Sequence, residues 1–449
     1  MSKRHLHRRP LIRSLFGSSL LMPGVLSNLL AADNPMRARQ SHFAASAKRI
    51  IFIYATGGVS HIDSFDPKST DNGHDGSGDE RWMGSIFGSD RNAKCGTEVS
   101  NIFPHLRDVM DEICVIRSMK ASHFDHSEAT LGMHTGSATF ARPSMGSWVS
   151  YGLGTVNENL PSFMVIAPFL PYGGTQVYAS DFLPACHQGT RVIPGDNPIA
   201  NLRSPELGRD LQDLELKLSG SMNKRHASER PFDSELAARI KSFETAFEMQ
   251  QAAPEAFDVS QEPAHIRKLY GLDRKVKGPG ADFAWQCLVA RRLAERGVRF
   301  IELIDTGSRP NWDSHGEIKE HADLAKNVDQ PTAALITDLK QRGMLDDTIV
   351  LWATEFGRTP TREGKNGRGH HRDCFSVWLA GGGFKSGHVH GTTDDIGKYT
   401  VENPVEVHDL HATVLHQMGI DHERLTFRHA GRDFRLTDVH GRILQDIIA

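Results

Sequence analysis

The sequence predicts an α/β protein in which a mostly parallel sheet lies between two helical layers, a three-layer α/β/α sandwich. Short apolar runs rich in β-branched residues recur along the chain, and amphipathic helical patterns lie between several of them. Continuous apolar runs are typical of strands covered on both faces. Alternation of such strands with helices predicts parallel pairing. The predicted strands are Arg49–Ala55, Ile113–Arg117, Phe163–Ala167, Arg299–Ile304, Thr348–Ala353 and Phe375–Ala380.

Helical periodicity is clearest over Phe283–Arg296 and Asp329–Arg342, each followed by a glycine that can end a helix. The segment 204–262 is charged and Gln-rich, which predicts a helical insertion packed on the sheet. The segment 69–90 is rich in Gly, Asp and Ser and predicts a mobile loop close to the first strand. The heptad-like apolar positions of the insertion are Leu211, Leu214, Leu216, Leu236, Ile240 and Phe243.

Composition limits the classes of function. A net charge of -3 over 449 residues gives no indication of the clustered Lys and Arg with which proteins bind the phosphates of nucleic acids. A nucleic-acid partner is therefore not expected. The chain contains 24 His and five Cys, and the cysteines have no paired spacing. A bound metal would therefore have imidazole and carboxylate ligands in preference to thiolates.

The N-terminus has the order of an export signal. Basic residues that include Arg8 and Arg9 precede an apolar stretch from Leu15 to Leu30. The paired arginines resemble the twin-arginine pattern, which marks cargo that is exported already folded, to the periplasm or beyond. We expect a signal peptide at 1–32, a linker at 33–48 and one domain at 49–449. The alternative is a short buried helix. Pro23 interrupts this stretch, and no later segment approaches the about 20 apolar residues that a span needs, so no membrane span is expected in the mature chain.

Polar side chains cluster beside the predicted strands. In open α/β sheets a site lies beyond the carboxyl ends of the strands, where these side chains would converge. Carboxylates and imidazoles from separate strands suit a divalent ion such as Zn²⁺, Mn²⁺ or Ca²⁺. Any one of these residues could instead be a solvated loop residue. The candidate metal ligands are His61, Asp63, Asp313, His315, Glu355 and His370; only His370 precedes its strand and must reach the site through its loop.

Three further residues are candidates for the chemistry. Ser127 begins the predicted helix Glu128–Met133, where the helix dipole favours an anion beside a nucleophilic hydroxyl, although an N-cap serine is the simpler interpretation. His126 could be a base, a ligand or a surface residue. Arg358 could bind a phosphate or sulfate oxygen bidentately, pair with Glu355, or simply belong to a turn.

Motifs over most of the chain resemble one family, the exported bacterial proteins of domain-of-unknown-function family 1501, within the alkaline phosphatase and sulfatase-like superfamily. The motifs are GGVSHIDSFDPK at Gly57–Lys68, DHSEATLGMHTG at Asp125–Gly136, RPSMGSWVSYGLG at Arg142–Gly154, ARRLAERGVRFIEL at Ala290–Leu303, WDSHG at Trp312–Gly316, EFGRTP at Glu355–Pro360, GRGHH at Gly367–His371 and GRDFRLTDVHG at Gly431–Gly441.

The resemblance implies an alkaline phosphatase-like fold with its nucleophile near His126 or Ser127. It also implies metal carboxylates near Asp63 and Asp313 and metal histidines at His315 and His370. The chain departs from the superfamily where active members carry Asp-His, because Glu355 and Phe356 stand there.

Three functions are compatible with these residues. The first is a metal-dependent hydrolase acting on phosphate or sulfate esters of small molecules or glycans. The second is a catalytically inactive exported protein of the same fold that binds an anionic glycan or a protein partner. The third is an isomerase or mutase that moves a phosphoryl group within a molecule.

Overall fold

A computed structural model of the chain describes residues 36–69, 82–157, 159–195, 198–199, 209–230, 234–278, 280–308 and 310–449. The predicted signal peptide at 1–32 lies outside the described residues, as do residues 70–81 of the predicted loop. Within the described ranges, we find no helix that combines the length and apolarity needed to cross a bilayer.

Strands and helices are interspersed along the described chain, without strict alternation. The strands are β1 Arg49–Tyr54, β2 Ser89–Arg91, β3 Glu98–Ser100, β4 Ile113–Lys120, β5 Phe163–Ile166, β6 Thr190–Val192, β7 Phe300–Ile304, β8 Thr348–Ala353, β9 Gly357–Glu363, β10 Gly367–His371, β11 Phe375–Ala380, β12 His388–His390, β13 Thr392–Thr393, β14 Thr400–Glu402, β15 Val405–Glu406, β16 Phe427–His429 and β17 Arg432–Phe434. The α-helices are α1 Pro104–Asp108, α2 His126–Thr135, α3 Met145–Leu153, α4 Arg209–Ser228, α5 Ser234–Phe257, α6 Ala264–Tyr270, α7 Phe283–Glu295, α8 Glu320–Gln341 and α9 Val407–Gln417. Short 3-10 turns lie at Met110–Glu112, Gly174–Tyr178, Ala185–His187, Val259–Gln261, Leu345–Asp347 and Gln445–Ile447.

The main sheet has the strand order β12-β4-β11-β8-β1-β7-β5-β6, with β15 paired to β4. Its neighbouring strands are parallel except around β11, which is antiparallel to both β4 and β8. The predicted class, an α/β fold with a mostly parallel sheet, is confirmed.

The direction of β11 decides which loops meet. Phe375 at the start of β11 pairs with Met119 near the end of β4. Because β11 is antiparallel, it begins at the edge of the sheet where β4, β8 and β1 end. The β9–β10 hairpin, which carries His370, therefore lies at that carboxyl edge and needs no long loop to reach it.

Alternate residues of β1 pack into two different helical layers, as the period of two in a strand requires. Ile51 and Ile53 lie in a buried cluster with residues of α7 and α8. Phe52 and Tyr54 lie in a second buried cluster with residues of α2, α3 and α9. The sheet is thus covered on both faces, which is why its strands are continuously apolar.

The insertion is helical, but it is not packed as expected along its whole length. Among the side chains that the structure describes in this segment, Ala253 and Ala256 in the last part of α5 are fully buried in the core. Leu211, Leu214 and Phe243 expose 50%, 62% and 63% of their surface. Leu211 and Leu214 of α4 therefore face solvent.

Helix α8 begins nine residues before the predicted start at Asp329 and continues through Pro331. A proline inside a helix leaves the carbonyl four residues earlier without its usual donor. That carbonyl, on Asn327, lies 3.5 Å from Arg274 Nη2, while Arg274 Nη1 donates to the Lys326 carbonyl at 2.9 Å. The guanidinium thus takes the place of the missing amide.

Residues 36–48 run along the surface of the domain. The amide of Arg39 donates to the Leu153 carbonyl at 2.9 Å, and the amides of Ser46 and Ala47 donate to the Gln417 carbonyl at 3.0 and 2.9 Å. Ala47 is buried.

Candidate metal centre

Five polar side chains from four parts of the fold meet at the carboxyl edge of the sheet. His126 is the first residue of α2, and Glu355 follows β8 directly. Asp313 and His315 lie in the loop between β7 and α8, and His370 lies in β10. The parallel strands and the reversed β11 bring these segments together.

The side chains converge on one carboxylate oxygen. Asp313 Oδ1 lies 3.2 Å from Nε2 of His126, 2.9 Å from Nε2 of His315 and 3.2 Å from Nε2 of His370. The Nε2 atoms of His315 and His370 are 2.9 Å apart. One ligand atom from each of His126, Asp313 and His370 lies within 4.8 Å of the other two, a spacing that can hold a metal ion.

Each of the three histidines turns its Nδ1 atom away from this point and toward a hydrogen-bond acceptor. Carbonyl and carboxylate oxygens accept but do not donate, so each Nδ1 carries a proton, and each Nε2 is left to bind either a second proton or a cation. Ligating histidines in metal sites are oriented in the same way. The contacts are His126 Nδ1 with Glu355 Oε1 at 2.7 Å, His370 Nδ1 with the Phe124 carbonyl at 2.7 Å and His315 Nδ1 with Glu363 Oε1 at 2.9 Å.

Three Nε2 atoms and a carboxylate oxygen thus face one another, and such a group needs positive charge, either as protons on the imidazoles or as a cation at its centre. Among the described residues, His126 Nε2 is buried and has no aligned hydrogen-bond partner, although Asp313 is near. Burial lowers the pKa of His126, but the nearby carboxylates of Asp313 and Glu355 raise it more, so the pKa lies above its ordinary value. A proton on Nε2 and a cation at this point are alternatives, so cation binding competes with protonation.

Glu355 was expected to be a metal ligand, but its two oxygens are engaged elsewhere. Oε1 accepts from the Gly57 amide at 2.8 Å and from His126, and Oε2 accepts from the hydroxyls of Tyr54 and Thr354 at 3.0 and 3.1 Å. Burial raises the pKa of Glu355, but the hydrogen bonds from His126 and the other donors lower it by more. The pKa is therefore below its ordinary value, and the carboxylate is ionised. Its position in the structure is that of a residue that orients His126.

Arg358 lies beneath the cluster, and its guanidinium does not face an open crevice. Nη2 donates to Asp313 Oδ1 at 2.6 Å, Nε donates to the Gly58 carbonyl at 2.8 Å and Nη1 donates to the Arg368 carbonyl at 3.3 Å. The side chain is fully buried. Burial raises the pKa of Asp313, but the histidines and Arg358 hold it well below its usual range.

Asp63 and His61, two of the expected ligands, lie apart from the cluster. Asp63 Oδ2 accepts from Arg368 Nε at 2.7 Å and from Ser60 Oγ at 2.6 Å, and this ion pair is fully buried. His61 Nε2 lies 2.8 Å from the Gly397 carbonyl, and burial lowers the pKa of His61 to about 4. Both residues are used in contacts that hold the loop after β1.

Ser127 lies beside the cluster as the second residue of α2, with an exposed side chain. The N-cap of this helix is Asp125, because its side chain accepts from the amides of Ser127 and Glu128 at 2.9 and 3.4 Å. The helix therefore begins at His126, before the predicted start. The amides expected to bind an anion are occupied by Asp125, while the Ser127 hydroxyl is accessible to solvent.

Aromatic side chains that the sequence did not single out surround His126. The rings of Tyr172 and His126 stack with centroids 4.2 Å apart. The ring of Phe356 lies 4.8 Å from that of His126 and 4.7 Å from that of His370. Phe356 directly follows Glu355, so its position could have been inferred from the strand end, whereas the loop of Tyr172 carries no chemical signature.

The fold and this cluster define an α/β protein with a candidate metal centre at the carboxyl edge of a mostly parallel sheet. The chain belongs to DUF1501, a family described as a protein of unknown function, whose model matches residues 47–448. The family predicted from the motifs is therefore confirmed. No curated protein sequence matches the chain.

Several crystal structures are similar to the chain. The lipoteichoic acid synthase LtaP from Listeria monocytogenes is 11% identical over 91% of this chain and 79% of that chain, with a TM-score of 0.35. The PsFucS1 sulfatase from Pseudoalteromonas sp. is 13% identical over 89% and 71%, with a TM-score of 0.36. Alkaline phosphatase from the Antarctic bacterium TAB5 is 11% identical over 76% and 92%, with a TM-score of 0.32.

Proposed function

We propose that this protein is an exported metal-dependent hydrolase of phosphate or sulfate esters. In this proposal His126, Asp313, His315 and His370 hold a divalent cation. The observation that carries it is the convergence of three Nε2 atoms whose protons are fixed on the opposite ring nitrogen. Three imidazoles and one carboxylate favour Zn²⁺ or Mn²⁺ over Ca²⁺, which prefers oxygen ligands.

A bound cation would supply Lewis-acid polarisation of an ester oxygen. The protein's own residues would fix the positions of the ligand side chains. Glu355, Glu363 and the Phe124 carbonyl fix the ring orientations, and Arg358 holds Asp313. His315 is 41% exposed, so the cluster is open to solvent on its side.

Ser127 is the proposed nucleophile because its exposed hydroxyl directly follows His126 in the first turn of α2. Export through a twin-arginine signal is part of the same proposal, since that route carries folded proteins. A cation held by residues from three separate segments can be bound stably only once the chain has folded.

Metal analysis of the purified, tag-free chain together with a panel of phosphate and sulfate esters tests the proposal. We expect about one tightly held Zn²⁺ or Mn²⁺ per chain and ester turnover that follows the metal content. His370→Ala should lose both, while His226→Ala, at an exposed position on α4, should keep both. A folded protein that takes up neither ion would refute the metal site, and a loaded protein inert on the panel would refute the hydrolase.

A second function, binding of an anionic glycan or partner without turnover, is favoured by the occupied amides at the start of α2. These amides cannot stabilise a developing negative charge beside Ser127 while Asp125 uses them. Ser127→Ala separates the two functions, because an enzyme should lose turnover while a binder should keep its affinity. Ser122→Ala, in the loop before α2, is the matched control.

A further inference from the structure

Helix α4 exposes its most apolar face. Leu211, Leu214, Leu218 and Met222 are 50%, 62%, 63% and 60% exposed. At 3.6 residues per turn these four positions fall within an arc of about 80°. They form one continuous strip, here called the leucine stripe.

The opposite face of α4 is less apolar but more covered. The half-buried positions are Leu216, Gly220, Asn223 and Ala227, which recur at helical spacing about half a turn away from the leucine stripe. Helix α4 contacts α5. A surface helix ordinarily buries its leucines and exposes its polar side, so this arrangement is inverted. Exposed apolar strips of this kind mark interaction surfaces.

We propose that the leucine stripe is a homodimer interface, in which α4 packs antiparallel against α4 of a second copy of this chain. The distribution of charge along α4 favours a second copy of the same helix as the partner. In the sequence, 209–215 carries one Arg against two Asp and one Glu, a net charge of -2, and 216–228 carries two Lys and one Arg, a net charge of +3. An antiparallel pair brings opposite signs together, whereas a parallel pair brings like signs together.

The same charges argue against a lipid surface as the occupant. Helices that lie on membranes carry basic residues along their polar face, and anionic lipids repel acidic segments. The acidic first half of α4 does not fit that pattern. An antiparallel copy of α4 places its basic half beside the acidic half of the first helix, and its acidic half beside the basic one.

The proposal is tested by measuring the oligomeric state of the full chain by light scattering and sedimentation over a range of concentrations. We expect a dimer whose Kd rises at least about tenfold in the double variant Leu214→Glu, Leu218→Glu, because two charges would enter an apolar contact. Val439→Glu is the matched control, since Val439 is 74% exposed and lies far from α4 in the sequence. Circular dichroism should show that each variant keeps its helices.

Disulfide trapping tests the direction of the pair. In an antiparallel pair centred on the stripe, Leu218→Cys is offset from its own copy by only about 4.5 Å along the helix axis, while Leu211→Cys is offset from its copy by roughly 16 Å, at 1.5 Å per residue. Only the first can approach, with a small shift of the helices, the roughly 4.4–6.8 Å between Cα atoms that a disulfide needs. Cross-linking at both positions would refute the antiparallel arrangement.

Two other results would overturn the proposal. One is a protein that stays monomeric at all concentrations, or a dimer that the stripe variants leave unchanged. The other is binding of the monomer to vesicles of phosphatidylglycerol and phosphatidylcholine that is lost in the stripe variants, which would assign the stripe to a membrane.

Discussion

Replacing Glu355 by Gln tests whether this carboxylate orients His126, and the surrounding contacts determine how the amide would lie. The Gly57 amide lies 2.8 Å from Oε1 and can only donate, so the Gln oxygen must take that position. The amide nitrogen then faces the hydroxyls of Tyr54 and Thr354, which can accept. His126 Nδ1 therefore keeps an acceptor, but that acceptor is neutral.

The expected loss follows from the charge alone. A hydrogen bond to a charged group contributes about 1.5–3 kcal/mol and one between neutral groups about 0.5–1.5 kcal/mol. The difference, roughly 1–1.5 kcal/mol, corresponds to about a tenfold weaker affinity for the cation. This lies at the low end of the 10–100-fold effects seen when partners of ligating histidines are changed.

Competition titration of Zn²⁺ against a chromophoric chelator would measure the affinities of wild type and Glu355→Gln. Glu302→Gln is the matched control, because Glu302 is equally buried and pairs with His134 at 2.7 Å outside the cluster. We expect this control to lower stability to urea while leaving the zinc affinity within about twofold. An unchanged zinc affinity in Glu355→Gln, or an equal loss in both variants, would refute the role assigned to Glu355.

The remaining predictions concern stability. Burial lowers the pKa of His187 to about 3, so the unfolded chain takes up a proton below about pH 6.5 that the folded chain does not. The free energy of unfolding should therefore fall as the pH decreases, and His187→Gln should remove about 2 kcal/mol of the loss between pH 6.5 and 5, whereas exposed His226→Gln should not. Asp63→Asn should cost about 3–5 kcal/mol in urea unfolding because it leaves Arg368 buried without its carboxylate, and Asp63→Leu with Arg368→Met should recover much of this loss. Chelation should lower the Tm of a protein purified with its metal, since a cation at 100 times its Kd adds about 2.7 kcal/mol; a Tm indifferent to chelator would contradict a bound ion.

The strands could be predicted to within a few residues because their signal is local. β8 and β11 have the predicted bounds, and β1 is one residue shorter than predicted. Apolar runs between turn residues decide such elements regardless of what they pair with. The direction of β11 depends on its neighbours, so the sequence could place His370 near the site only by assuming a loop.

The candidate metal ligands show that residue type and position beside a strand do not by themselves identify a ligand. Asp313, His315 and His370 meet, as their positions beside strands suggested. Asp63 has the same chemistry and the same kind of position, yet Arg368 from β10 takes its carboxylate. Which of two buried carboxylates receives an arginine depends on contacts 305 residues apart in the chain, and no local pattern encodes them.

The histidines show a second limit. The sequence placed His126 among several possible roles, and its role depends on which ring nitrogen carries the proton. That choice is made by Glu355, 229 residues away. Similarly, a heptad-like spacing identified the leucines of α4 as apolar positions, but periodicity alone cannot say whether the apolar face meets the same chain or another one.

The charges around the cluster connect the cation to the kind of substrate. Asp313, Glu355 and the half-exposed Glu363 are three carboxylates, and Arg358 is one guanidinium, so the site carries two excess negative charges when its histidines are neutral. A phosphate or sulfate ester is also an anion. At 4 Å and an effective dielectric constant near 20, each pair of unit charges interacts by roughly 4 kcal/mol. Without a cation this interaction repels the ester, and a divalent ion cancels the excess negative charge and places a positive centre beside the ester oxygens. The residues that fix the three imidazoles therefore determine both whether a cation binds and whether an anionic substrate can approach.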